Sequence, residues 1–263
     1  GLSFFTFQAI AYYFDKNSKN RTESVFDIFT FLTFFPQLLA GPIVSISTFR
    51  SGISRRVHFT EVLKGIDRLS IGLIKKFLIA DSLSEITSIY FQTSDLKLTF
   101  VSALIIILTY TFQIYFDFSA YCDIAIGIGF LLGFDLPENF NKPYISKSFK
   151  EFWQRWHITL SNFFKLHVYI PLGGNRTSKL KTYRNLWITF FCTALWHGAS
   201  LNFLLWGFLH GLFLTFEKIL NYKRIFSNRV VTFILISLTW VPFFSKDISD
   251  TYFIYRSLFK FNL

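Results

Sequence analysis

Apolar residues fall in blocks, with Lys and Arg clustered in the stretches between them. Leu98 to Phe116 runs 19 residues without a formal charge. At 1.5 Å per residue it would reach ~28 Å, close to a hydrocarbon core of ~30 Å, and it predicts a transmembrane helix. Phe118 to Phe134 either extends that helix or returns across the membrane, with Asp123 as an interruption. Val230 to Phe244 is a shorter candidate span, with Pro242 near its end. Residues 25–49 are broken by Pro36 and by Gly41-Pro42. Residues 66–80 carry Asp67, Arg68, Lys75 and Lys76 and fit a position partly in the interface.

Asn185 to Phe216 holds 32 residues with no Asp, Glu, Lys or Arg. One helix of that length would run ~48 Å, too long for an untilted span, and two complete spans would need about 40 residues. Lys179, Lys181 and Arg184 precede the block; Lys218, Lys223, Arg224 and Arg229 follow it. Basic flanks on both sides imply that the chain enters and returns. Short or re-entrant helices fit best. Irregular backbone at that depth is tolerated only inside protein or beside a water-filled cavity, so the block is expected to line one. Phe149 to Tyr169 reads as an amphipathic interfacial helix: Phe152, Trp153, Trp156, Leu160, Phe163 and Phe164 follow helical spacing, with Lys150, Glu151, Gln154 and Arg155 interleaved.

Composition strengthens the membrane reading. Of 263 residues, 52% are hydrophobic, 21% aromatic and 16% charged, against about 25% charged in soluble domains. Phe alone occurs 37 times. This excludes disorder, collagen and coiled coil, and leaves an integral membrane protein, all-α on the helical runs above. The formal net charge of +11 follows from basic loops at 50–76 and 142–184, as cytoplasmic loops require, so nucleic acid is not an expected partner. Cys122 and Cys192 lie in apolar segments and indicate no disulfide framework. The chain begins at Gly1, contains no Met and has no signal-peptide pattern over residues 2–14. It reads as an internal piece of a longer protein, one transmembrane domain over 1–263.

Polar residues inside apolar blocks carry the candidate chemistry, because desolvating them is costly. His197 lies in Thr193-Ala194-Leu195-Trp196-His197-Gly198-Ala199-Ser200. A neutral imidazole there can take a proton from a hydroxyl, or it can simply be a core histidine bonded to a backbone carbonyl. His157, between Trp156 and Ile158, faces either the interface or the same cavity, and the flanking Trp156 favours the interface. His210 lies 13 residues beyond His197, ~220° round a helix, and would not neighbour it unless the chain breaks between them. His58 and His167 sit in basic, loop-like surroundings. Asp117 and Asp123 either orient a histidine and carry protons, or are carboxylates satisfied by Tyr, Ser or Arg. Arg176, in the turn Pro171 to Arg176, either contacts a phosphate or anchors the loop in anionic headgroups. The glycines Gly127, Gly129 and Gly133 do not match a dinucleotide fingerprint and predict close helix packing. No metal-ligand spacing, P-loop or nucleophile elbow occurs.

Six segments carry a resemblance. They are Phe34-Phe35-Pro36-Gln37-Leu38-Leu39-Ala40-Gly41-Pro42-Ile43; Tyr115 to Asp123; Pro137-Glu138-Asn139-Phe140-Asn141; Glu151-Phe152-Trp153-Gln154-Arg155-Trp156-His157; Tyr169-Ile170-Pro171-Leu172-Gly173-Gly174-Asn175-Arg176; and Leu195-Trp196-His197-Gly198-Ala199. Taken in order, they resemble the membrane-bound O-acyltransferase family, in its bacterial branch that modifies alginate and teichoic acid. The resemblance covers residues 1–217 strongly. It implies a multi-helix ring with short re-entrant helices around a thin central cavity, completed by further N-terminal helices. It implies a multi-pass protein of the bacterial cytoplasmic (inner) membrane that moves an acyl group, acetyl above all, from a cytoplasmic thioester to a hydroxyl of a cell-surface polysaccharide.

In that frame His197 matches the catalytic histidine and His157 the second motif histidine. Trp153, Trp156, Trp196, Asp123 and Arg176 are candidate tunnel residues, although interfacial anchoring also fits Trp153 and Trp156. The donor would be acetyl-CoA or an acyl carrier thioester, with no permanently bound cofactor and no metal. The expected partners are the lipid bilayer, the polysaccharide acceptor and an extracytoplasmic acetyltransferase protein. One departure stands out: Phe164-Lys165-Leu166-His167-Val168-Tyr169 replaces the usual Phe-Arg-Asp-Tyr-Leu-Tyr, so an acidic group is missing. The rival classes are a transporter or flippase for a polysaccharide precursor, in which His197 and Asp123 couple protons, and a structural subunit.

Overall fold

Every regular element among the described residues is helical. The computed structural model describes residues 2–19, 24–38, 41–53, 55–92, 98–220 and 228–260. Leu39 and Ala40 of the first motif, and Lys223 and Arg224 of the second basic flank, lie outside them. The helices, in chain order, are α1 Leu2–Lys19, α2 Val25–Leu32, α3 Phe35–Leu38, α4 Ile46–Ile53, α5 Phe59–Ile74, α6 Asp81–Gln92 and α7 Phe100–Leu131. Then follow α8 Phe149–Arg155, α9 Ile158–Phe164, α10 Lys179–His197, α11 Leu201–Ile219, α12 Arg229–Thr239, α13 Val241–Phe244 and α14 Ile248–Ser257.

The first predicted span and its extension form one helix. α7 is 32 residues long and is, by length and composition, apolar enough to cross a membrane. Its start is fixed by a reciprocal cap: Ser102 N–H donates to Thr99 Oγ1 at 3.3 Å, and Thr99 N–H donates to Ser102 Oγ at 2.8 Å. Its end is fixed by Gly133, with φ +86. Gly133 N–H donates to Phe130 O at 3.2 Å and Phe134 N–H to Gly129 O at 2.8 Å, the pair of bonds that closes a helix through a left-handed glycine. Asp123 does not interrupt α7, because its charge is met by partners described below.

Two units divide the chain. The first comprises Gly1–Ile79, Phe116–Asn141 and His157–Phe163. Its core gathers Phe31, Phe34, Phe49 and Ile126, with Phe134 against Phe34 (4.6 Å between ring centroids) and Phe49 (5.2 Å). Here α5 crosses the second half of α7 with backbone against backbone. A Cβ on Gly127 would lie 2.7 Å from Leu69 N and 2.8 Å from Gly65 O, and one on Gly72 would lie 2.8 Å from Ala120 O. The predicted close packing at Gly127 is therefore present, and side-chain-free approach of this kind holds helices together where lipid offers no hydrophobic gain.

The second unit comprises Ala80–Tyr115, Lys142–Trp156 and Phe164–Leu263. One of its cores joins Leu98, Ile106 and Ile107 to Val241, Phe244 and Ile254. The shorter candidate span over Val230 to Phe244 is two helices, α12 and α13, with Pro242 at the start of the latter, where its missing N–H costs nothing. The uncharged block Asn185–Phe216 is built into α10 and α11, each 19 residues. They exceed what 32 uncharged residues allow because they take in Lys179, Lys181 and Arg184 at one end and Lys218 at the other.

One predicted element is corrected. Phe149 to Tyr169 is not a single interfacial helix: α8 stops at Arg155, α9 restarts at Ile158, and a π-helical turn covers Lys165–Tyr169. Phe152, Trp156, Leu160, Phe163 and Phe164 follow helical spacing because they are buried, not because they face a headgroup layer.

Candidate functional site

His197 is the last residue of α10 because Gly198 cannot continue the helix. Gly198 adopts φ 156 and ψ 164, a region that side-chain-bearing residues avoid, and a Cβ there would sit 2.8 Å from the Phe203 ring. The chain reverses and α11 begins at Leu201. The half-buried imidazole of His197 is left inside a wall of rings: Trp196 (4.6 Å between centroids), Trp206 (4.9 Å), Phe243 (4.9 Å) and Phe203 (5.9 Å). It makes no hydrogen bond to protein among the described residues, so the reading of a core histidine tied to a backbone carbonyl is not what the geometry holds.

The break at Gly198 also brings in His210. Its ring lies 4.8 Å from the same Trp206 indole, so one tryptophan lies against both imidazoles. His210 is fully buried. Its Nδ1 accepts from Trp153 Nε1–H at 3.2 Å, and because an indole only donates, the imidazole proton sits on Nε2. Neither that Nε2 nor the Trp206 Nε1 has a hydrogen-bond partner among the described residues. Two buried N–H groups without an acceptor thus lie on the Trp206 indole that packs against His197 and on the imidazole packed against that same indole. Trp156 packs on Trp240 (4.9 Å) and Phe152 (5.5 Å), and Trp153 on Phe190 (5.4 Å) and Trp206 (5.8 Å). Both indoles lie against protein rings, and the anchoring reading of Trp156, which is buried, is set aside.

His157 belongs to the first unit, and it is buried rather than interfacial. Its φ of 42 places a non-glycine residue in the left-handed region, at a cost of about 1–3 kcal/mol. Asn139, fully buried, offsets that cost. Its backbone oxygen accepts from Ile158 N–H at 3.0 Å. Its Oδ1 accepts from Thr159 N–H at 3.1 Å and Thr159 Oγ1 at 3.0 Å, and lies 3.1 Å from His157 Nδ1. Since that oxygen only accepts, the His157 proton is on Nδ1 and the Nε2 lone pair points elsewhere. The Phe118 ring meets the imidazole edge-on at 4.7 Å.

Asn139 stands in the motif Pro137 to Asn141, but sequence alone assigns it no candidate role. A loop asparagine carries no signal for a partner 18 residues away. Asn139→Ala would leave the Thr159 and His157 donors without an acceptor and is expected to destabilise the protein by at least about 2 kcal/mol. A clear fall in the melting temperature of the full-length protein in detergent is the expected result. An unchanged one would contradict this role.

Asp123 is almost fully buried and holds Arg68 Nε at 2.7 Å and Lys75 Nζ at 2.6 Å; Arg68 also reaches Glu138 at 2.5 Å. Of the two readings left open by the sequence, satisfaction by a basic partner is the one observed. Removing the carboxylate takes this partner from Lys75 and leaves Arg68 with Glu138. Asp123→Ala is expected to cost about 3 kcal/mol, the low end for a broken buried pair because Arg68 and Lys75 keep some solvent contact. Thermal unfolding in detergent reads this directly, and an unaltered transition would exclude it. Asp117 pairs with Lys76 at 2.7 Å, half-exposed. Arg176 is exposed on the loop after α9 and its π-helical turn. Cys122 and Cys192 are free thiols. Among the described residues no group of His, Cys, Asp and Glu could hold a metal ion.

The chain is 38% identical to a probable alginate O-acetylase of Pseudomonas aeruginosa over 99% of its own length and 51% of the relative's. It is 36% identical to the peptidoglycan O-acetyltransferase of Helicobacter pylori, over 99% of this chain and 56% of that one. It is 28% identical to the teichoic acid D-alanyltransferase of Bacillus subtilis, over 91% and 65% respectively. It thus spans about half the length of the first two. The sequence profile of MBOAT, the membrane-bound O-acyltransferase family, matches residues 2–253, so nearly every helix described above falls within it. With both motif histidines inside that match, the chain belongs to the membrane-bound O-acyltransferase family.

Proposed function

We propose that the full-length protein transfers an acyl group, acetyl in the first instance, from a cytoplasmic thioester to a hydroxyl of a cell-surface polysaccharide, with His197 as general base. The observation that carries the reading is the imidazole at the broken end of α10, held among rings and bonded to no protein group. The His197 imidazole takes the hydroxyl proton as the oxygen forms a bond to the thioester carbonyl carbon. The C–S bond then breaks, and the proton passes to the departing thiolate, leaving an ester and a free thiol. A base of this kind supplies about 10²–10⁴ in rate, so proximity and hydrogen bonds to the developing oxyanion supply the rest. The N–H groups of His210 and Trp206, buried without a hydrogen-bond partner among the described residues, are candidates for such donors.

Two roles are open to His157, positioning the thioester or stabilising the developing oxyanion, and its hydrogen bond to Asn139 favours the first. With Nδ1–H bonded to Asn139, Nε2 accepts rather than donates. That suits positioning of the thioester and not stabilisation of an oxyanion. Trp153, Trp156 and Trp196 would shape the passage, whereas Asp123 would hold the fold that supports it.

The membrane setting follows the same reading. Val101, Leu104, Ile105 and Phe112 of α7 are exposed apolar residues, as a lipid-facing surface requires. The whole protein would be a multi-pass ring in the bacterial cytoplasmic membrane, with re-entrant helices about a thin centre, and residues 1–263 would belong to that one transmembrane domain. The relatives' names point to alginate, peptidoglycan and teichoic acid, so a surface glycopolymer hydroxyl is the acceptor class. Delivery would pass through an extracytoplasmic acetyltransferase partner.

The test uses full-length protein in proteoliposomes with labelled acetyl-CoA and an envelope-polymer extract. Label is expected on the polymer as an ester. Polymer precursor crossing the bilayer without thioester consumption would instead establish a transporter.

A further inference from the structure

The second unit contains a cavity of 860 Å³ bordered by Lys150, Lys165, Arg176 and Lys218, with no carboxylate among its lining residues. The volume is within the range of small-molecule sites. Four like charges bordering one space repel each other. Lys165 and Arg176 have no ion pair among the described residues, and the Lys218 ammonium sits 5.4 Å over the Tyr183 ring. One acid, Glu217, offsets part of the charge at Lys150. Glu217 is buried, and its two oxygens accept the backbone N–H groups of Phe149 and Lys150.

The loop that presents Arg176 is built rather than loose. Gly174 N–H donates to Tyr169 O at 2.9 Å, and the buried Asn185 amide donates to Leu172 O at 2.9 Å and Gly174 O at 3.1 Å. A second observation points into the same place. Thr177 lines the cavity, and its hydroxyl is buried with no hydrogen-bond partner among the described residues. A guanidinium, three ammonium groups and an idle hydroxyl around one opening form a complement to phosphate oxygens.

We propose that this cavity binds a phosphate-bearing group through Lys150, Lys165, Arg176, Lys218 and the Thr177 hydroxyl. Two sources carry that chemistry: the nucleotide phosphates of a thioester donor, or the headgroup of an anionic phospholipid. The donor alternative rests on the acyl-transfer reading; the site itself does not.

The experiment uses full-length protein in detergent, with adenosine 3′,5′-bisphosphate and dioctanoyl phosphatidylglycerol as separate titrants in calorimetry at low and moderate salt. The comparison proteins are Lys165→Gln/Arg176→Gln/Lys218→Gln and the single Arg176→Gln. Lys165 and Arg176 are exposed and Lys218 gives up only its contact with the Tyr183 ring, so the variants should stay close to the wild-type melting temperature, and the single change guards against a misfolded triple. Saturable nucleotide binding is expected, weakened at least tenfold in the triple variant and several-fold in the single, with a shallower salt dependence in both. The same pattern with the lipid and not the nucleotide would assign the headgroup as the source. Absence of binding for both titrants, or equal binding by wild type and variants, would overturn the site. Because binding needs no turnover, His197→Ala should leave it unchanged, and a failure of acyl transfer remains separable from a failure of this site.

Discussion

Replacing His197 by alanine in the full-length protein is expected to lower acyl transfer by about 10²–10⁴-fold, the usual contribution of a positioned base. The loss should fall on kcat, because the imidazole acts while the hydroxyl proton is in flight and adds little to ground-state binding. Folding should survive. The ring makes no hydrogen bond to protein among the described residues, and it is only half-buried. His197→Ala should therefore elute from size exclusion as the wild type does. Label transfer from acetyl-CoA to polymer, measured beside that elution profile, checks both halves. Full transfer by the variant would remove His197 from the mechanism. Aggregation with partial transfer would make it a structural residue.

Gly127→Val is expected to have the opposite signature, with loss of the folded protein rather than of turnover. The new Cβ would be pressed to 2.7 Å from Leu69 N and 2.8 Å from Gly65 O. Both are backbone atoms of α5 and cannot rotate away. Ordinary overpacking costs about 1–3 kcal/mol by moving side chains; separating two helix backbones should exceed about 3 kcal/mol. The measure is the yield of monodisperse full-length protein in detergent, with Ile128→Val as a control one position away. A stable, monodisperse Gly127→Val protein would mean that the α5–α7 crossing is looser than described.

Much of this was legible in the residues, and the gaps have physical causes. The uncharged run from Leu98 predicted a helix, and Gly127 its close packing, because both are properties of local composition. The extent of α7 was harder to read. Asp123 looks like an interruption until Arg68 and Lys75 neutralise it from 55 and 48 residues away. The broken helix around His157 was missed for a related reason. Phe152, Trp156 and Leu160 keep helical spacing across the break, and the left-handed turn is held by Asn139, which periodicity cannot report. Counting about 100° per residue puts His210 on the far face from His197 unless the chain breaks between them, and Gly198 supplies that break. The histidine motifs themselves were visible. What could not be read was that both His197 and His210 lie against one indole, since that depends on how α10 and α11 pair.

Site-resolved histidine modification tests the central claim most directly. Full-length protein is treated with diethyl pyrocarbonate, digested and read by mass spectrometry, with and without acetyl-CoA. A reachable, unbonded His197 should be carbethoxylated and then protected when the donor is present, while the fully buried His210 stays unmodified in both. An inert His197, or one that reacts equally with and without donor, would contradict an imidazole waiting beside a bound thioester.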